Sequence, residues 1–127
     1  MEEQSSDHLA RFNASQEALI TLALESWRFT KVFERAIVKL DPTEISRFLS
    51  QYRWFLKKME EALEKSNIRI VNIEGQLFDP GMAATALNID EFEPGTLLVV
   101  DQMLEPILMG ESGLIKTGVV TLKKKEQ

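Results

Sequence analysis

Cysteine is absent from the 127 residues. That excludes disulfides, thiolate metal centres and a cysteine nucleophile, and it suits a reducing compartment. Histidine occurs once, at His8, in a polar N-terminal stretch. A Ser-His-Asp triad or a histidine-rich metal site therefore has almost nothing to be built from. No stretch reaches the roughly 18 consecutive apolar residues of a membrane-spanning helix. The opening Met1-Glu2-Glu3-Gln4-Ser5-Ser6-Asp7 is acidic and polar, unlike a secretory leader. The expected location is cytoplasmic, with no membrane partner. Positive charge is in the minority: 15 Lys+Arg stand against 20 Asp+Glu, a net charge of -5. Such a chain is a poor general phosphate binder, so no nucleic-acid partner is expected. What remains, 44% hydrophobic and 28% charged residues, is the balance of a folded globular chain.

The scarce residue types are unevenly placed. All six glycines follow residue 74, whereas eight of the ten aromatic residues precede residue 60. Residues 1–67 carry 10 basic and 11 acidic side chains; residues 68–122 carry 2 and 8. The first part reads as helix and the second as short strands and turns, with expected domains at 1–67 and 68–127.

A first helix is expected to start near Asn13 or Ser15, where Asn13 and Gln16 have capping-box spacing. Leu19, Leu22, Ser26, Phe29, Phe33, Ala36 and Leu40 then recur at alternating steps of three and four, one stripe of a helix. Ile20, Ala23, Leu24 and Trp27 form a second stripe beside it. Asp41-Pro42-Thr43-Glu44 ends this helix and begins another: Pro42 suits a first helical position, Asp41 its cap and Glu44 the reciprocal position. The second helix, from about Pro42 to Lys65, keeps the helical period through Ile45, Phe48, Leu49, Tyr52, Phe55, Leu56, Met59, Ala62 and Leu63. So short a connection makes an antiparallel hairpin. Its apolar face is wider than one neighbouring helix covers. Two covers are open, the chain's own C-terminal part and a second copy; the second copy, completing a four-helix bundle through Phe29, Phe33, Leu49, Tyr52, Phe55, Leu56 and Met59, is the expectation.

The second part predicts a strand over residues 68–73 and a turn at Phe78-Asp79-Pro80-Gly81. A weak strand follows over 83–89, a turn at Glu93-Pro94-Gly95 and a strong strand over 96–100. Residues 104–109 form a possible strand with Pro106 at an edge or break. Gly110-Glu111-Ser112-Gly113 turns into a last strand over 114–122, and residues 123–127 are expected to fray. The fold class is thus α+β: a dimerising helical hairpin followed by a small C-terminal β domain.

No catalytic motif is legible. Gly110-Glu111-Ser112-Gly113 lacks the spacing and the lysine of a phosphate loop. Asp90, Glu91 and Glu93 lack calcium-loop spacing and read as a solvated turn. A β domain of this size has little room for an enclosed carboxylate pair. The expectation is a protein that is not an enzyme, with no metal and no cofactor: an interaction protein whose acidic domain suits a partner surface bearing Lys or Arg.

The order of these elements resembles GrpE, the nucleotide exchange factor of DnaK-type heat-shock chaperones, over about residues 16 to 122. Residues 18–37, with Ser26-Trp27 and Phe33-Glu34-Arg35-Ala36, are similar to the family's first bundle helix. Residues 49–71, ending Asn67-Ile68-Arg69-Ile70-Val71, are similar to the second bundle helix running into a strand. Gly75-Gln76-Leu77-Phe78-Asp79-Pro80 matches its glycine and Phe-Asp-Pro signature, and Glu93-Pro94-Gly95-Thr96 its Pro-Gly before a strand. Ile115-Lys116-Thr117-Gly118-Val119-Val120 lies where the family has a basic residue before its last strand. Ala83-Ala84 stand in place of the family's histidine, and Lys116 in place of its arginine, as in a shortened, divergent member. The resemblance implies a homodimer that promotes ADP release from the ATPase domain of a DnaK-type chaperone, with Phe78, Asp79, Pro80, Met82 and Lys116 as contacts. The alternative it leaves is a protein–protein adaptor that keeps the scaffold without the exchange activity.

Overall fold

The computed structural model describes residues 2–126 and is α+β, with two long N-terminal helices followed by small sheets. The chain divides into two compact units, Met1–Ser66 and Asn67–Gln127.

In the first unit, helix α1 (Glu2–Ile37) and helix α2 (Pro42–Glu64) form the hairpin. Asp41 caps α2 as its sequence requires: the Thr43 and Glu44 N–H groups both donate to Asp41 Oδ1, each at 3.1 Å, with Pro42 at the first helical position. The start of α1 corrects the expectation at Asn13 or Ser15, because the helix already runs at Glu2 and Asn13 lies in its interior. Residues 2–14 hold few apolar side chains, and Leu9 and Phe12 among them are exposed, yet Glu, Gln, Leu, Ala and Arg are good helix formers, and one marginal cap signal does not interrupt them. The buried side chains of α1 are Ala23, Trp27, Thr30, Lys31 and Ile37, one face at helical spacing. This is the second stripe of the sequence, not the 19–40 stripe. On the latter, Leu22 and Phe29 are exposed and Leu19, Ser26 and Phe33 half-buried.

A polar group crosses between the helices. The Tyr52 hydroxyl donates to Glu34 Oε2 at 3.2 Å, and Lys31 Nζ lies 3.6 Å from that same carboxylate oxygen. The Lys31 ammonium also lies 5.1 Å from the centre of the Trp27 ring. A buried lysine is costly without such company; a carboxylate and an indole face offset the lost water.

The second unit begins at Asn67, whose φ of 59° is left-handed and tolerable for Asn. It holds two three-stranded sheets. In one, β1 (Arg69–Val71), β4 (Ile107–Gly110) and β5 (Gly113–Lys116) lie in that order, all antiparallel. In the other, β6 (Gly118–Lys124) is central, parallel to β2 (Ala84–Ala86) and antiparallel to β3 (Leu98–Glu105). Pro106 separates β3 from β4, as a residue without an N–H should. Residues 75–78 add a further rung outside β3: the Gly75 and Phe78 N–H groups donate to the Val100 and Leu98 carbonyls, and the Val100 N–H donates to Gln76.

Two bulges on β3 decide what faces the core. Asp101 and Leu104 are extra residues opposite β6, so the buried positions are Val100 and Met103, three apart instead of two. Strand β6 keeps clean alternation, with Gly118, Val120 and Leu122 buried. Ile73, Ile107 and Leu108 are also buried in this unit. At Gly118 a Cβ would stand 2.8 Å from Ile107 Cγ1 and 3.1 Å from the Glu105 carbonyl oxygen, so close packing requires glycine there. Strand β2 is only three residues long, but Asn88 continues its pairing with a side chain. Its Nδ2 donates to the Leu122 carbonyl at 2.9 Å and its Oδ1 accepts from the Leu122 N–H at 2.8 Å.

The tail corrects another expectation. Residues 123–125 do not fray: Lys123 and Lys124 pair with Val99 and Leu98, and the Lys125 N–H donates to Leu97 at 3.0 Å. The expected strand at 96 starts two residues later, because the Thr96 N–H and hydroxyl both donate to the Glu93 carbonyl and close the Pro94-Gly95 turn.

Candidate functional site

Two surfaces gather the residues that the sequence singles out. The first is the open side of the hairpin. Phe29 is 64% exposed and Phe55 44%, while Phe33, Leu49, Tyr52, Leu56 and Met59 are half-buried. Phe33 holds the two helices together at this end: it stacks on Phe29 with ring centres 6.3 Å apart and meets Phe48 of α2 edge-on, also at 6.3 Å. Further along, Leu19, Leu22 and Ser26 of α1 face Phe55, Met59 and Ala62 of α2 across a shallow groove of about 300 Å³. Leu22 is 64% exposed and lies seven residues before Phe29, so both sit on one open apolar seam. Phe12, seven residues before Leu19, continues the same heptad register and is also exposed. It was missed because the helix was expected to begin after it. Trp54 lies off the seam and is covered on one side by Lys58, whose ammonium stands 4.6 Å from the ring centre.

The second surface is in the β unit. Asp79 closes a tight turn, its Oδ1 accepting from the Gly81 N–H at 2.9 Å and its carbonyl accepting from the Met82 N–H at 2.9 Å. Asp79 and Pro80 are thereby held exposed, with Phe78 and Met82 half-buried on either side. Lys116 is half-buried at the end of β5, opposite Leu108. The Gly118 N–H donates to the Ala83 carbonyl at 2.9 Å. This bond brings the residue after Met82 to the residue two beyond Lys116. The turn residues therefore form one group, while Lys116 lies on β5 in the other sheet and is linked to it only through this backbone bond.

Phe78 and Pro80 also line a groove of about 730 Å³ with the segment from Ile89 to Leu98. Leu77, Ile89 and Leu97 stand exposed along it. Sequence reasoning did not find these three, because they come from three loops with no shared period. The only usable signal was the presence of large aliphatics between turn residues.

Among the described residues, no group of three or more His, Asp and Glu is placed to hold a metal ion, and no helix is long and apolar enough to cross a membrane. No protein-family model, curated protein or solved structure matches this chain.

Proposed function

We propose that this protein is a GrpE-like co-chaperone: a homodimer, joined through its helical hairpins, whose β unit binds the ATPase domain of a DnaK-type chaperone and promotes ADP release. The observation that carries the reading is the open apolar seam of Leu22 and Phe29, seven residues apart on α1, with Phe55 of α2 across the groove from Leu22. A second hairpin laid on it completes a four-helix bundle. The β unit supports the partner role with a built turn that holds Asp79 and Pro80 outward.

In this reading the chain does no bond chemistry. The β unit binds an opened ATPase domain better than a closed one, and ADP is weakened only by that difference in affinity. A difference of about 3 kcal/mol weakens ADP binding about a hundredfold. Stopped-flow release of a fluorescent ADP analogue from a DnaK-type chaperone tests this. Acceleration that saturates with protein concentration is expected, with Asp79→Ala and Lys116→Ala reducing it.

The adaptor reading is favoured by one observation. Lys116 supplies a point charge where the resembled family has the planar, bidentate fork of arginine. Binding to the ATPase domain without faster ADP release, or binding only to some other protein, would select the adaptor.

A further inference from the structure

We infer that the groove between residues 77–80 and 89–98 of the β unit is a docking site for a peptide segment of a partner protein, one that carries aliphatic side chains followed by Lys or Arg. The groove encloses about 730 Å³, the size of clefts that hold ligands rather than of surface wrinkles. Its apolar content is exposed: Leu97 is 64%, Leu77 50% and Ile89 43% accessible. These three side chains come from separate stretches of the chain and meet along one groove, an apolar strip against which a partner's aliphatic side chains would lose water.

The walls are fixed. The Phe78 N–H is tied to the Leu98 carbonyl at 2.9 Å, the Thr96 N–H to Glu93, and the Glu91 N–H to the Asn88 carbonyl at 3.1 Å. An occupant therefore pays little to order the site.

Charge selects the occupant. The charged residues among those lining the groove are Asp90 and Glu93, both exposed acids, and Glu91 lies between them in the chain. The whole unit carries 9 acidic against 5 basic side chains, and three of the basic ones are the terminal Lys123, Lys124 and Lys125. Lys124 and Lys125 line a hollow that shares Thr96 and Leu97 with the groove and includes neither Asp90 nor Glu93. A basic residue thus belongs at the Asp90–Glu93 end, where like charge would be repelled. The groove shares Phe78 and Pro80 with the turn of the exchange reading, but peptide binding is read without an ATPase or a dimer, so the two can fail separately.

Two fluorescein-labelled synthetic peptides test it, one with a Leu-Val-Leu-Leu core followed by three arginines and one with the same core followed by three glutamates. Anisotropy titrations against the full chain are expected to give the arginine peptide at least tenfold tighter binding. Amide chemical-shift changes should fall in residues 77–80 and 89–98. Leu97→Asp, at an exposed position that leaves the fold intact, should weaken binding about tenfold. The double charge reversal Asp90→Lys with Glu93→Lys should invert the preference between the peptides. Equal binding of both peptides, binding that Leu97→Asp leaves untouched, or shift changes in residues 12–59 would overturn the proposal. So would failure of both peptides to bind, and in that case a loss of self-association in Leu97→Asp or Ile89→Asp would reassign the groove to a second copy of the chain.

Discussion

The two units of this chain bury their apolar residues to different degrees. In the β unit Ile68, Ile73, Val100, Met103, Ile107, Leu108, Val120 and Leu122 are all buried. In the helical unit the buried apolar residues are Ala23, Trp27, Ile37 and Leu63, and the rings of Phe12, Phe29, Trp54 and Phe55 stand exposed. Every exposed aromatic side chain among the described residues belongs to the helices. A β unit with so many inward residues carries its own core. A hairpin that leaves its rings in water has further surface to bury, and helix pairs gain most of their stability from such burial rather than from propensity.

The contrast can be broken most sharply from the β side. Met103 is fully buried at the position set by the bulges of β3. Met103→Ala is expected to cost about 2–5 kcal/mol. Both tryptophans and the single tyrosine lie in the helices, so their fluorescence reports the helical unit alone. Amide NMR signals from residues 68–125 should therefore be lost at lower urea in this variant. An unchanged unfolding midpoint for those amides would show that the β unit has no independent core.

Asn88→Ala comes next in size. It strips two hydrogen bonds from the backbone of Leu122 and leaves a half-buried N–H and carbonyl without their partner, an expected loss of about 1–3 kcal/mol. Asn88→Asp should be as damaging, since a carboxylate cannot donate to the Leu122 carbonyl. Denaturant titration measures both. Stability unchanged in each would mean that β2 holds its place on β6 without this side-chain link.

Asp41→Ala has the smallest expected effect, about 1 kcal/mol for the loss of a helix cap. It should appear in the tryptophan-detected transition of the helical unit and leave the β amides unmoved. A shift of the β amides by the same amount would mean that the two units unfold as one.

How much of this was legible in the sequence depends on whether the deciding contacts are local. The Asp41-Pro42-Thr43-Glu44 junction was readable because the cap, the proline and the bonds they make all lie within four residues. The Asp79 and Pro94-Gly95 turns were readable for the same reason. The start of α1 was not, because helix continuation through residues 2–14 rests mainly on propensity, with Leu9 and Phe12 exposed. The pairing of Lys123 and Lys124 with Val99 and Leu98 joins residues more than twenty apart, and nothing in a lysine run announces it. The bulges at Asp101 and Leu104 moved the inward face of β3 by one residue, a change that alternation cannot foresee. On the helices the period was right, but two adjacent stripes were apolar. The sequence alone did not say that Ala23 and Trp27 go inside while Leu22 and Phe29 stay out. The candidate turn, residues 78–82, was legible as a local motif; the groove beside it was assembled from distant loops.

We propose that a second copy covers the open seam of the helical hairpin. Sedimentation equilibrium of the intact chain and of Phe29→Asp with Phe55→Asp, across micromolar concentrations, tests it most directly. A species of twice the 14.5 kDa chain mass is expected for the unsubstituted protein, and a shift toward the single chain in the double variant with the β amides still folded. A stable, folded single chain at those concentrations, with an unfolding midpoint independent of concentration, would contradict it.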